Sequence, residues 1–150
     1  MTEKELAQSR AVVVDRSINL EALVNAIICQ HYFGMMPWNF LTEVLYDEHF
    51  NLGLKCNVLA KIVGARHQRT VQDLRRLMKI RNHFVHRGPN VVTQAAPEGF
   101  APDPKKLGEP LAFSALSQDF KTLCPKVEKA LAQIFKEKGG VLSEKPWPPA

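Results

Sequence analysis

Apolar residues recur at three- and four-residue steps along most of the chain, and no run alternates convincingly with period two, so the pattern predicts helices. The first helix is expected from about Thr2 to Tyr32, ending near Gly34. Its second half, Ala11 to Cys29, is apolar around most of its circumference, which marks a helix at the centre of a bundle. Along it runs a narrow stripe of polar and small residues: Asp15, Asn19, Ala22, Ala26 and Gln30. Pro37 opens a second helix through Tyr46, since proline is tolerated in a helix's first turn. Leu52 to Val63 reads as a third, stopped at Gly64. Thr70 followed by Asp73 resembles a capping box, with Asp in place of the usual Glu, and starts a fourth helix that stops at Gly88-Pro89. The last helix carries Leu116, Phe120, Leu123, Val127, Leu131 and Ile134 in one register through Pro125, which predicts a single kinked helix ended by Gly139-Gly140.

Between residues 88 and 112 the periodicity lapses, and five prolines and three glycines appear. A stretch that long without helix is a functional or mobile loop; a short strand pair, Asn90–Thr93 with Leu111–Phe113, would order it. The expectation is an all-α fold: one domain over 1–138, a bundle of four to five helices with a long Pro-rich loop before the last, then a flexible tail over 139–150.

Composition narrows the class. The 150 residues, 45% hydrophobic and 23% charged, suit one globular domain with a single core. The N-terminus is charged, and the apolar run Ala11–Val14 is cut by Asp15 and Arg16, so no secretory segment is expected. No stretch approaches the roughly 20 apolar residues of a membrane span, which predicts a cytoplasmic protein without a membrane partner. Cys29, Cys56 and Cys124 are odd in number and widely spaced, as buried free thiols would be.

Net charge is +5, but unevenly placed. Lys61, Arg66, Arg69, Arg75, Arg76, Lys79, Arg81 and Arg87 face a single acid, Asp73, so the segment from 61 to 87 carries +7 and the rest of the chain −2. On a helical wheel with Leu74 at zero, Val71, Leu77, Met78, Ile80, Phe84 and Val85 define the buried arc. Arg75, Lys79, Asn82 and His86 form a column along its edge. Arg81 falls inside the apolar arc, where a guanidinium requires an acceptor because an unpaired buried charge costs several kcal/mol. Asp15 or Glu21 can supply one within the chain; the alternatives are an acceptor across a subunit interface or a bound phosphate group. His86, in the last turn, suits a helix dipole as a cation. His83 and His86 stand at a metal-chelating spacing, but no carboxylate or cysteine lies nearby and the surroundings are basic, so neither metal nor cofactor is expected.

Arg81-Asn82-His83-Phe84-Val85-His86 resembles the Arg-x4-His motif of the HEPN superfamily, including the polar residue that commonly follows the Arg. Arg10 to Val14 with Leu20 to Leu23, and Phe50 to Leu59 with Lys55, are similar to conserved stretches of its mannitol operon repressor-like branch. The resemblance covers roughly residues 5 to 90. It implies a HEPN-like helical bundle and, in many members, metal-independent endoribonuclease chemistry at a site composed across a homodimer. By that resemblance Arg81, Asn82 and His86 are catalytic, with Arg75, Lys79, His83 and Arg87 binding RNA or another phosphate-bearing ligand. It also implies a toxin with an antitoxin or regulatory protein partner. The alternative is a non-catalytic member that binds nucleic acid or nucleotide and regulates transcription, as the mannitol operon repressor-like branch suggests.

Overall fold

The computed structural model describes residues 2–86 and 110–142, with the side chains of 86 and 110–112 outside that description. The first helix, α1 (Glu3–Phe33), is unbroken. Thr2 caps it: its Oγ1 accepts from the Glu5 amide at 3.1 Å, and Glu5 Oε2 accepts the Thr2 amide at 2.7 Å. At the other end Gly34 turns left-handed, at φ 65°, a conformation that glycine enters without a Cβ penalty. After Pro37, the short α2 (Trp38–Phe40) widens into a π-helical turn over Leu41–Leu45, closed by the Tyr46 amide on the Leu41 carbonyl at 2.9 Å. Asn51 then caps α3 (Leu52–Val63), its Oδ1 accepting from the Leu54 amide at 3.1 Å.

Two expectations need correction in the second half. α4 runs over Gln68–His86, beginning before Thr70. A 3₁₀ turn over Gly64–His67 leads straight into it, with the Gln68 amide on the Ala65 carbonyl, so backbone carbonyls serve its first amides and no Thr70–Asp73 capping box is needed. Asp73 instead accepts from Arg69 Nε at 3.3 Å. The last helix, α5 (Pro110–Glu137), begins with a proline at its first position and passes through Pro125 as one element. Leu111–Phe113 are therefore helical and form no strand, while Asn90–Thr93 lie outside the described residues, as does most of the loop 88–112.

α1 and α4 pack on each other, and each packs on both α3 and α5, an all-α bundle of four long helices. The shared core takes Leu20, Val24 and Ile27 from α1, Leu74, Leu77 and Phe84 from α4, and Phe120 and Leu131 from α5. Leu41 and Leu45 seal it under the π turn, and all three cysteines are free and buried. Val85, placed by the wheel on the buried arc, is 39% exposed. The antiparallel register explains it: Val71 faces Ala60 and Gly64, Met78 faces Cys56, and two turns further α3 has already ended at Leu52. Polar groups inside are mostly matched, with Ser117 Oγ donating to Ser9 Oγ at 3.3 Å and Ser17 Oγ to the Val13 carbonyl at 2.6 Å. No helix among the described residues is long and apolar enough to cross a membrane.

Candidate functional site

α4 is the common wall of the concave surfaces that hold the sequence-predicted residues, and it does not bring them to one place. Arg81, half-buried, turns toward α1 and lines a cleft of about 400 Å³ roofed by the π turn and the segment that follows it. Asn82, Lys79 and His83 line a groove of about 580 Å³ on the α5 side, together with Arg76 and Asp119. Arg75 leans the third way, toward α3, donating to Asn57 Oδ1 at 2.8 Å. His86 closes α4 as a helical residue whose side chain lies outside the described residues, as does the whole of Arg87.

Among the described residues the partner question for Arg81 has a definite answer. Glu21 is taken: its Oε1 accepts from Lys55 Nζ at 2.7 Å, and the Lys55 side chain is 1% exposed. Asp15 is exposed and makes no ion pair among the described residues. Neither carboxylate serves the guanidinium, which has no hydrogen bond or ion pair among the described residues. Its charge thus stands half-sheltered and available, the state in which an arginine binds an incoming oxyanion most strongly.

On the other side of the helix the groove is aromatic at one end. The His83 ring packs on Phe113 with centroids 5.0 Å apart, and Phe113 also meets Phe84 at 5.2 Å, so His83 is held by stacking at the edge of the core. Lys79 and Asn82 are exposed above it. Arg76 donates to Asp119 Oδ2 at 2.9 Å, which offsets part of the groove's positive charge.

The same offset thins the basic segment as a whole. Folding sets Arg66 and His67 against Glu137 of α5 at 3.4 and 3.3 Å, and Arg69 against Asp73. Three of its arginines therefore have carboxylate neighbours, while Lys61, Arg75, Lys79 and Arg81 make no ion pair among the described residues.

Sequence reasoning gave no structural role to three residues that build this region. Arg10 Nε donates to the Phe84 carbonyl at 2.9 Å, tying α1 to the last turn of α4, where carbonyls lack helical partners. Lys55, on the core-facing side of α3, captures the carboxylate that Arg81 was expected to use. Asn25, one turn beyond Glu21 on α1, sits in the cleft wall at 1% exposure. Only the core-facing position of Lys55 was readable in advance, as a charged residue within an apolar helix.

Cys56 and Cys124 are poor nucleophiles: burial pushes both thiols up to about 11. No group of three His, Cys, Asp or Glu side chains among the described residues could hold a metal ion. No protein-family model matches the chain, and no curated protein or solved structure matches it at a significant level. What the site can do is therefore argued from its residues.

Proposed function

We propose that this protein is a HEPN-like, metal-independent endoribonuclease that works as a homodimer. The observation that carries the reading is Arg81: a half-buried guanidinium with no acceptor among the described residues, on the helix that ends at His86. Cleavage of RNA by its own 2′-hydroxyl needs a base for that proton, a cation for the crowded phosphate and an acid for the leaving 5′-oxygen. Arg81 supplies the cation, gripping two phosphoryl oxygens with its fork. His86 has the chemistry of base or acid near neutral pH. Asn82 opens into the groove on the α5 side, so its exposed amide donates to a neighbouring nucleotide and not to the phosphate that Arg81 grips. One chain carries one such histidine, so a base and an acid together call for two copies, related by a two-fold axis. Arg75 and Lys79, with His83 and Arg87, extend phosphate attraction along the approach.

The test is purified protein on end-labelled RNA, with and without a chelator. The expected product carries a 2′,3′-cyclic phosphate, forms equally with chelator present, and is lost in Arg81→Ala and His86→Ala. Cleavage that persists unchanged in His86→Ala belongs to a contaminant and removes the reading, as does a strictly monomeric protein by light scattering at micromolar concentration.

A second reading, a non-catalytic regulator that binds nucleotide or nucleic acid, draws on one specific observation. Arg81 opens into a cleft of small-ligand size while Asn82 opens into a different groove. In that reading the motif binds a phosphate without turning it over. Salt-sensitive binding with no cleavage product selects it.

A further inference from the structure

The end of the bundle where α1 stops exposes a cluster of large apolar side chains. Phe33 and Trp38 are each 47% exposed and Met35 is 66% exposed, all in the stretch that carries the chain out of α1. The Phe33 ring packs on Phe40 with centroids 4.9 Å apart, so the surface is anchored by an aromatic pair. A single exposed apolar residue needs no explanation, but aromatic and thioether side chains gathered at one place mark a docking surface.

The other end of the described chain arrives beside it. The amides of Gly139 and Gly140 bond the Lys136 and Phe135 carbonyls, each at 2.9 Å, which closes α5 in a turn. Gln30 Nε2 donates to the Lys138 carbonyl at 3.2 Å and holds that turn against α1. Phe33 lies three residues beyond Gln30 on α1, hence on the same helix face one turn further on. Val141 and Leu142 follow, both exposed.

Residues 143–150, outside the described residues, read Ser-Glu-Lys-Pro-Trp-Pro-Pro-Ala. Trp147 is the large apolar side chain of that stretch, and prolines flank it on both sides. Such a sequence favours polyproline II backbone, and segments of that kind dock on aromatic-lined surfaces because little backbone freedom is left to lose. Residues 143–147 can span about 17 Å, room enough for Trp147 to return to Phe33 and Met35. A tether that short holds its end at an effective concentration in the millimolar range, so even a weak contact is made in the same chain before any other.

We infer that this aromatic end of the bundle is a docking surface for a proline-flanked tryptophan, and that its occupant is the chain's own Pro146-Trp147-Pro148-Pro149. The indole of Trp147 covers Phe33 and Met35, and the prolines run along the neighbouring aromatic side chains. The inference rests on none of the residues assigned to RNA or phosphate.

Fluorine NMR of the full chain labelled with fluorotryptophan tests it, with the Trp147 resonance assigned by its absence in Trp147→Phe. That resonance is expected to move little between light and heavy water, as a sheltered indole does, and the Trp147 ring to show Overhauser effects to the Met35 methyl and the Phe33 ring. Met35→Glu, at an exposed position, is expected to give Trp147 the full solvent-isotope shift of the free amino acid and to abolish those effects. Trp147→Ala supplies a second reading that leaves the surface itself unchanged: amide hydrogen exchange across residues 33–40 is expected to quicken while α4 keeps its protection. A full isotope shift in the unaltered chain leaves the surface to another protein and overturns the inference. So does a sheltered Trp147 that ignores Met35→Glu, or exchange across 33–40 that ignores Trp147→Ala. An isotope shift that grows on dilution, as light scattering falls to the monomer, assigns the tail to a second copy and overturns the occupant named here.

Discussion

Glu21→Gln removes the carboxylate on which the most deeply buried charge among the described residues depends. Lys55 Nζ lies 2.7 Å from Glu21 Oε1, with the lysine side chain 1% exposed and the glutamate 33% exposed. At an effective dielectric near 20, unit charges at that separation attract by about 6 kcal/mol, a gross figure set against the cost of stripping water from the ammonium. Breaking one side of a buried pair costs about 3–5 kcal/mol, because the survivor is left charged and unpaired. Partial exposure of Glu21 screens the attraction, which places the loss at the lower end, about 3 kcal/mol. For a domain of this size that is a fall in Tm of about 6–12 °C. The opposite truncation is milder. Lys55→Met leaves a carboxylate that can turn to water, at a cost of about 1 kcal/mol. The double variant strands neither charge and recovers most of the loss, so a urea-denaturation cycle should give a coupling of about 2–3 kcal/mol. Equal costs for the two single variants, or additivity in the double, would refute the view that Lys55 is held by this carboxylate alone.

Two further outcomes follow from the same geometry. Arg10→Ala removes the donor on the Phe84 carbonyl; a charged hydrogen bond of this kind contributes about 1.5–3 kcal/mol. The loss should concentrate in the last turn of α4, seen as faster amide hydrogen exchange at residues 84–86 while α1 and α3 keep their protection; uniform loss across the bundle would contradict a local clamp. Burial raises the thiols of Cys56 and Cys124 to about 11 from an ordinary value near 9. A group raised on folding contributes stability that is complete below its unfolded value and lost as pH rises toward the folded one. Stability should therefore decline between about pH 9 and 11, and less so in Cys56→Ala/Cys124→Ala measured against its own value at pH 8. At pH 8 the native thiols should resist a disulfide reagent that labels them at once in urea.

The helices were legible where their signals are local. Thr2 with Glu5, Gly34 and Gly64 each fix a boundary through bonds or backbone angles within a few residues, and the apolar register through Pro125 reads one helix because the core face continues past it. The π turn at Leu41–Leu45 was not legible, since one widened turn leaves the spacing of Leu41 and Leu45 as an α-helix would. The Thr70–Asp73 box misled because a capping side chain competes with any backbone that precedes it, and here the 3₁₀ turn prevailed. At the site, the wheel placed Arg81 on the core side of α4, and it is half-buried there. Its lack of a partner among the described residues could not be read, because that depends on Lys55 reaching Glu21 first, a contest between residues 34 positions apart.

That contest also changes what the basic segment means. A run of eight cations on one stretch of chain suggests a broad anionic partner, but charge counted along a sequence ignores what the fold lays across it. α5 brings Asp119 and Glu137 against Arg76, Arg66 and His67, and exposed pairs of this kind contribute little stability while still cancelling field. The cations that make no ion pair among the described residues differ in kind. Lys61 at the end of α3 and Arg75 and Lys79 on α4 are exposed, where salt screens them. Arg81 is sheltered, so an oxyanion that reaches it exchanges less water and feels a stronger field. In the proposed function, specific phosphate recognition therefore falls to Arg81, with the exposed cations of α4 acting on approach and not on selection. On that proposal, a sequence with the same +7 segment and an apolar residue at position 81 would keep the approach and lose the site.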